Sequence, residues 1–140
     1  MITNTLNTNE VKNSAGTEVE FQRLSISDRD TVFAAIGESY ARPHRLSIKH
    51  TETGGGTKKR RRSVIRIDKT VDTLADATLE PSVVSFYLVA DIPIGGLTTT
   101  AEPANCLAEL VSFVASLGAS TTILYDGTGN GAAALLAGTV

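Results

Sequence analysis

Arg45-Leu46-Ser47-Ile48-Lys49 and Ser63-Val64-Ile65-Arg66-Ile67-Asp68 decide the fold. Both alternate with period two, the spacing at which successive side chains point to opposite faces of a strand. Leu46 and Ile48 share one face of the first segment, and Arg45, Ser47 and Lys49 share the other. In the second, Ile65 and Ile67 oppose Val64, Arg66 and Asp68. Gly54-Gly55-Gly56 lies between them and predicts a mobile turn. The pair reads as an antiparallel hairpin with one apolar and one basic face, the pattern of a sheet covered on one side.

Downstream, Val83–Ile94 reads as a long strand after Pro81. Phe86, Leu88, Ala90 and Ile92 alternate with Ser85, Tyr87, Val89 and Asp91. Upstream, Thr17–Leu24 alternates as a half-buried strand, and Asn13–Gly16 before it is turn chemistry. A partner strand within Ile2–Lys12 would complete an N-terminal hairpin. Thr31–Ile36 is compatible with a short helix or a strand. Val71–Glu80 reads as a loop, and Gly95-Gly96 with Thr98–Thr100 as a linker.

The clearest helix follows. Thr100 can cap it, and Glu102 and Pro103 suit its first turn. Leu107, Leu110, Val111, Val114 and Leu117 form an i, i+3, i+4, i+7 stripe, and Gly118 is a natural stop. Thr121–Tyr125 and Ala132–Ala137 predict short elements, the second helical.

Strands followed by helices predict an α+β fold with an antiparallel sheet, about five strands in all. The expected layout is a single domain over 1–140, with the hairpin in 1–24, the sheet in 43–94 and a helical part in 101–140. One helix is ~10 Å wide, whereas five strands ~4.8 Å apart span roughly twice that. The uncovered apolar strip predicts an obligate dimer, with the Leu107–Leu117 stripe in its interface.

Charge is segregated along the chain. Ten of thirteen Lys and Arg residues lie between Arg42 and Lys69, against only Glu52 and Asp68, a formal +8. Residues 1–41 sum to −3, and residues 70–140 carry seven carboxylates and no basic residue. Such a surface attracts a polyanion although the whole chain is at −2. Lys58-Lys59-Arg60-Arg61-Arg62 runs into the strand that carries Arg66, while Arg45 and Lys49 stand on the facing strand. A flat basic sheet with Ser47, Tyr87 and two histidines nearby suits single-stranded or hairpin RNA.

Other chemistries are poorly supplied. Cys106 is the single cysteine, and His44 and His50 are the two histidines, so no disulfide, zinc site or other metal centre is expected. Cys106 beside the helical stripe reads as a packing residue, and no catalytic constellation stands out. Gly127-Thr128-Gly129-Asn130-Gly131-Ala132 fits G-x-G-x-x-A, but the second strand of a dinucleotide site has no room after it. A Gly-rich turn is the simpler reading, and no cofactor is expected. The polar start and the lack of a long apolar run predict a soluble intracellular product with no membrane partner.

These strings resemble the coat proteins of single-stranded RNA bacteriophages, the leviviruses. The resemblance rests on Arg45–Lys49, Arg61–Asp68, Glu80-Pro81, Ser85–Leu88, Asp91–Ile94 and the Cys-bearing helix. It implies an N-terminal hairpin, a five-stranded sheet and two C-terminal helices. It further implies an interlocked dimer with a ten-stranded sheet, in which each subunit lays its helices over its partner. Such dimers assemble into an icosahedral shell of quasi-equivalent subunits, and the loop Lys69–Pro81 would vary around the symmetry axes. The open sheet face would line the virion interior and package genomic RNA, with assembly in the bacterial cytoplasm. The implied RNA-facing residues are Arg45, Ser47, Lys49, Val64, Arg66, Ser85, Tyr87, Val89 and Asp91, with Lys58, Lys59, Arg60, Arg61 and Arg62 adding charge.

Some relatives also repress translation by binding an RNA hairpin. Here Ser85 stands at the family's base-stacking Tyr position, Tyr87 lies two residues on, and Val64 and Val89 replace polar positions. General RNA packaging therefore fits better than the known hairpin contacts. Beyond Thr121 the chain is longer and more Gly-rich than the family. The alternatives are a non-assembling dimeric RNA- or DNA-binding protein, and a small enzyme using the C-terminal Gly loop.

Overall fold

The computed structural model describes residues 2–73, 78–96, 101–119 and 122–139. Six strands run in chain order: β1 (Thr5–Leu6), β2 (Phe21–Ile26), β3 (Asp30–Ala35), β4 (His44–Thr53), β5 (Arg60–Val71) and β6 (Ser82–Ile92). They form one antiparallel sheet in the order β1-β2-β3-β4-β5-β6. Helices α1 (Ala101–Ala115) and α2 (Asn130–Ala137) follow. The chain divides into a sheet unit, Met1–Thr8 with Val19–Gly96, and a helical unit, Asn9–Glu18 with Leu97–Val140.

The expected hairpin is present, but its strands belong to the main sheet, which has six strands rather than five. The turn forms as its residues suggest. Gly16 N donates to Asn13 O, and Asn13 Oδ1 accepts from Ala15 N and Thr17 N. The strand proper begins at Phe21, not Thr17, and the turn groups with the helices. Thr31–Ile36 resolves as a strand. Thr31, Val32 and Phe33 favour extended backbone, and β3 is paired on both sides. A register shift between Arg23 and Ser25 places a bulge at Leu24.

The core of the sheet unit sits at β2–β3, where Phe21 and Phe33 are both 0% exposed. They lie on the face that also carries Leu46, Ile48, Ile65, Ile67, Phe86 and Leu88, as the register dictates. His44 meets the Phe21 ring edge-on, with centroids 5.1 Å apart. Burial, and then Lys69 across the ladder, push the His44 pKa below its ordinary value. Toward β6 this apolar face is open: Ile65 and Phe86 are each 41% exposed.

The glycine turn is built, not slack. Gly56–Lys58 forms a 3₁₀ turn, with Lys58 N donating to Gly55 O and Lys59 N to Gly56 O. Gly95 N donates to Lys59 O at 2.9 Å, and a Cβ on Gly95 would fall 2.0 Å from Gly56 O. Only glycine lets the chain after β6 approach this turn so closely.

In the helical unit α1 ends at Ala115, so Leu117 lies beyond it, and Gly118 adopts φ +90°. Thr100, the expected cap, lies outside the described residues, as do positions 97–99, 74–77 of the loop before β6, and Thr121. Residues 122–125 form no regular element. The Gly-rich motif has a packing explanation. A Cβ on Gly129 would lie 2.3 Å from Val114 O, and one on Gly131 would lie 2.8 Å from the Phe113 ring. These glycines let the start of α2 press against the end of α1. Asn130 N donating to Ser116 O and Leu124 N to Ala115 O hold the junction.

Candidate nucleic-acid interface

Three long strands in unbroken register make the face opposite the phenylalanines. Its rows are Arg45–Asp68–Ser85, Ser47–Arg66–Tyr87, Lys49–Val64–Val89 and Thr51–Arg62–Asp91, with Thr53 opposite Arg60 at the end. Neighbouring strands lie ~4.8 Å apart, so residues in a row are close enough for their side chains to interact directly. The alternation in the sequence therefore places Arg45, Ser47, Lys49, Arg66, Ser85, Tyr87 and Asp91 on one surface, with Val64 and Val89 among them.

The basic pentamer does not stay together. Arg60 and Arg62 join this face. Arg61 points to the opposite side, in register with Glu52 and Ile92 on the Ile65 face. Lys59 is held by Glu52 at 2.7 Å, and Lys58 sits in the 3₁₀ turn. The reason is the strand's length: β5 begins at Arg60, so the period-two rule already governs the last three members of the run. The pentamer is a turn plus a strand end, not one patch.

The middle of the face is a connected group. Arg66 Nε lies 2.7 Å from Asp68 Oδ1 and 2.6 Å from Oδ2, and the guanidinium stands 4.9 Å from the Tyr87 ring centre. Ser85 Oγ donates to Asp68. Burial pushes the Asp68 carboxyl up, but the Ser85 and Arg66 hydrogen bonds outweigh it and hold the pKa below its ordinary value. Asp68 in turn raises the Arg66 pKa. Tyr87 is 56% exposed, so this fixed pair presents a π surface and a permanent cation side by side, the combination on which bases stack.

Carboxylates complete the face, and two of them, Asp30 on β3 and Glu38 just after it, come from outside the three strands. Asp30 Oδ2 lies 4.0 Å from Lys49 Nζ, and Glu38, just after β3, pairs with Arg45. Arg60 Nε donates to Asp91 Oδ1 at 2.9 Å. At the turn end of the opposite, Ile65 face, Arg29 and Lys59 bind Glu52 from two sides at 2.9 and 2.7 Å. Their hydrogen bonds, Lys59's foremost, hold the Glu52 pKa at about 2. Among the described residues no group of three or more His, Cys, Asp or Glu could hold a metal ion. Among the same residues no helix is long and apolar enough to cross a membrane. Cys106 is exposed on α1.

The stripe residues Leu107, Leu110, Val111 and Val114 are exposed along α1, as is Leu117 after it. Phe113, 65% exposed, and Leu135 and Leu136 on α2 add to the open apolar surface. They lie off the stripe, which is why periodicity did not reveal them.

No family model matches this sequence, and no curated protein matches it. The likeness is structural. The coat protein of bacteriophage EMS014 superposes with a TM-score of 0.63 at 14% identity, covering 86% of this chain and 87% of that one. A virus-like particle of bacteriophage AC gives 0.60 at 17% identity, covering 86% and 96%. A third, described as an unassembled virus coat protein dimer and bacteriophage RNA-binding dimer, gives 0.54 at 11% identity over 87% and 84%. The antiparallel sheet followed by two C-terminal helices is thus the fold of levi-like bacteriophage coat proteins.

Proposed function

We propose that this chain is a capsid protein. It dimerises, assembles into an icosahedral shell and packages single-stranded RNA against the Arg45–Asp91 face. The observation that carries this reading is an unfinished sheet within the coat-protein fold. Among the described residues strand β6, eleven residues long, is paired on one side only, and Phe86 on it and Ile65 on β5 are exposed. A long, flat, apolar edge is a template for another chain. A second copy meeting β6 edge to edge doubles the sheet, and helices from that copy, with their open leucines and valines, cover the apolar face. The opposite, cation-bearing face then remains free for a polyanion.

The paired cations and Tyr87 favour packaging of RNA as a class over recognition of one hairpin. Sedimentation of the full chain expressed alone tests the reading. A dimer as the smallest species, in equilibrium with uniform shells, is expected. A monomer at micromolar concentration contradicts the dimer. A dimer that forms no shell at any salt concentration leaves a non-assembling nucleic-acid-binding protein instead.

A further inference from the structure

The cations of the basic face are not equally available. Of Arg45, Lys49, Arg60, Arg62 and Arg66, four have a carboxylate partner, and among the described residues Arg62 has none in ion-pair range. The four carboxylates fall into two kinds. Glu38 and Asp68 are largely covered and carry a second bond, Glu38 Oε2 accepting from His44 N and Asp68 from Ser85 Oγ. They orient Arg45 and Arg66. Asp30 and Asp91 are far more exposed, at 42% and 55%, and among the described residues their carboxylates hold only Lys49 and Arg60. Arg62 stands directly across the ladder from Asp91, whose carboxylate is turned to Arg60.

We propose that Asp30 and Asp91 are counter-ions built into the basic face, which compete with nucleic-acid phosphate for Lys49 and Arg60 and hold the affinity down. The inference rests on the reading of this face as the RNA surface. A phosphate reaching Lys49 or Arg60 must displace a carboxylate or share the cation with it. A cation held by a carboxylate neutralises less phosphate charge, so fewer of the counterions condensed on the nucleic acid are released and binding depends less on salt. Exposed pairs of this kind are weak enough to be exchanged. The face is thereby self-screened: Arg62 is the ready contact, Arg66 is fixed beside Tyr87, and Lys49 and Arg60 are held in reserve.

The test is an Asp30→Asn/Asp91→Asn double variant of the full chain, titrated with a fluorescent 20-nucleotide oligouridine across a salt series. Oligouridine has no exocyclic amino group, so its ring N3–H is the one base donor a carboxylate could accept from. Affinity should rise about two- to fivefold per carboxylate removed. The log–log salt slope should steepen by roughly 0.7 for each additional phosphate neutralised. Unchanged affinity and slope, with Arg62→Ala still weakening binding, would overturn the inference and leave the RNA face intact. Indifference of both the double variant and Lys49→Glu/Arg66→Glu would overturn the RNA face as well. Weaker binding to oligocytidine with no gain for oligouridine would make Asp91 a base acceptor and likewise overturn it.

Discussion

Arg66 and Tyr87 are cross-strand partners on β5 and β6, with the guanidinium 4.9 Å from the ring centre. Asp68 fixes the cation from the other side. A strand pair thus presents an aromatic surface and a charge that cannot be titrated away near neutral pH. Tyr87→Ala should weaken single-stranded RNA binding by about 1–3 kcal/mol, the usual cost of losing a stacking aromatic. Tyr87→Phe should retain most of it. Fluorescence anisotropy with one oligonucleotide compares the two.

The covering of the apolar face can be tested without RNA. Phe86 is 41% exposed in a single chain, so Phe86→Glu should change the stability of an isolated subunit little. If a second copy covers it, the same substitution buries an unpaired charge and abolishes the dimer. Sedimentation of the variant as a folded monomer is the expected result.

The glycines of α2 carry a structural prediction. Gly131→Val would drive side-chain atoms into Phe113. A loss of about 1–3 kcal/mol is expected from such overpacking, read by chemical denaturation. Gly127→Ala, which meets only the end of the Leu136 side chain, does not crowd the helix crossing. Its cost should come from its φ of +85° instead.

Acid should act through Glu52. Its pKa is depressed in the folded chain, to about 2 from 4.5. The stabilisation is therefore present above pH 4.5 and is lost as pH falls through about 2. Glu52→Gln should flatten the acid limb of the stability–pH curve over that window. It should also loosen the Lys58–Lys59 turn, visible as faster amide exchange there.

Much of the sheet was legible because alternation is a direct imprint of the pleat. Leu46, Ile48, Ile65 and Ile67 could be assigned to one face from spacing alone, and Arg45, Lys49 and Arg66 to the other. Strand β3 was not legible, since Thr31–Ile36 is short and its run of apolar residues shows no period-two alternation. With β3 unplaced, Asp30 and Glu38 could not be seen beside Lys49 and Arg45. The pentamer misled for the opposite reason. Five like residues in a row hide the change from turn to strand at Arg60, which sends Arg61 to the other face. The role of Gly129 and Gly131 was hidden too, because a close helix crossing and a phosphate loop need the same residue.

Packaging through the basic face is tested most directly by expressing the native chain and a Lys49→Glu/Arg66→Glu variant, treating each with nuclease and imaging and sizing the products. The native chain should give uniform shells tens of nanometres across that protect RNA. The variant should keep the dimer and lose the protected RNA. Shells of the variant with undiminished RNA would contradict the account.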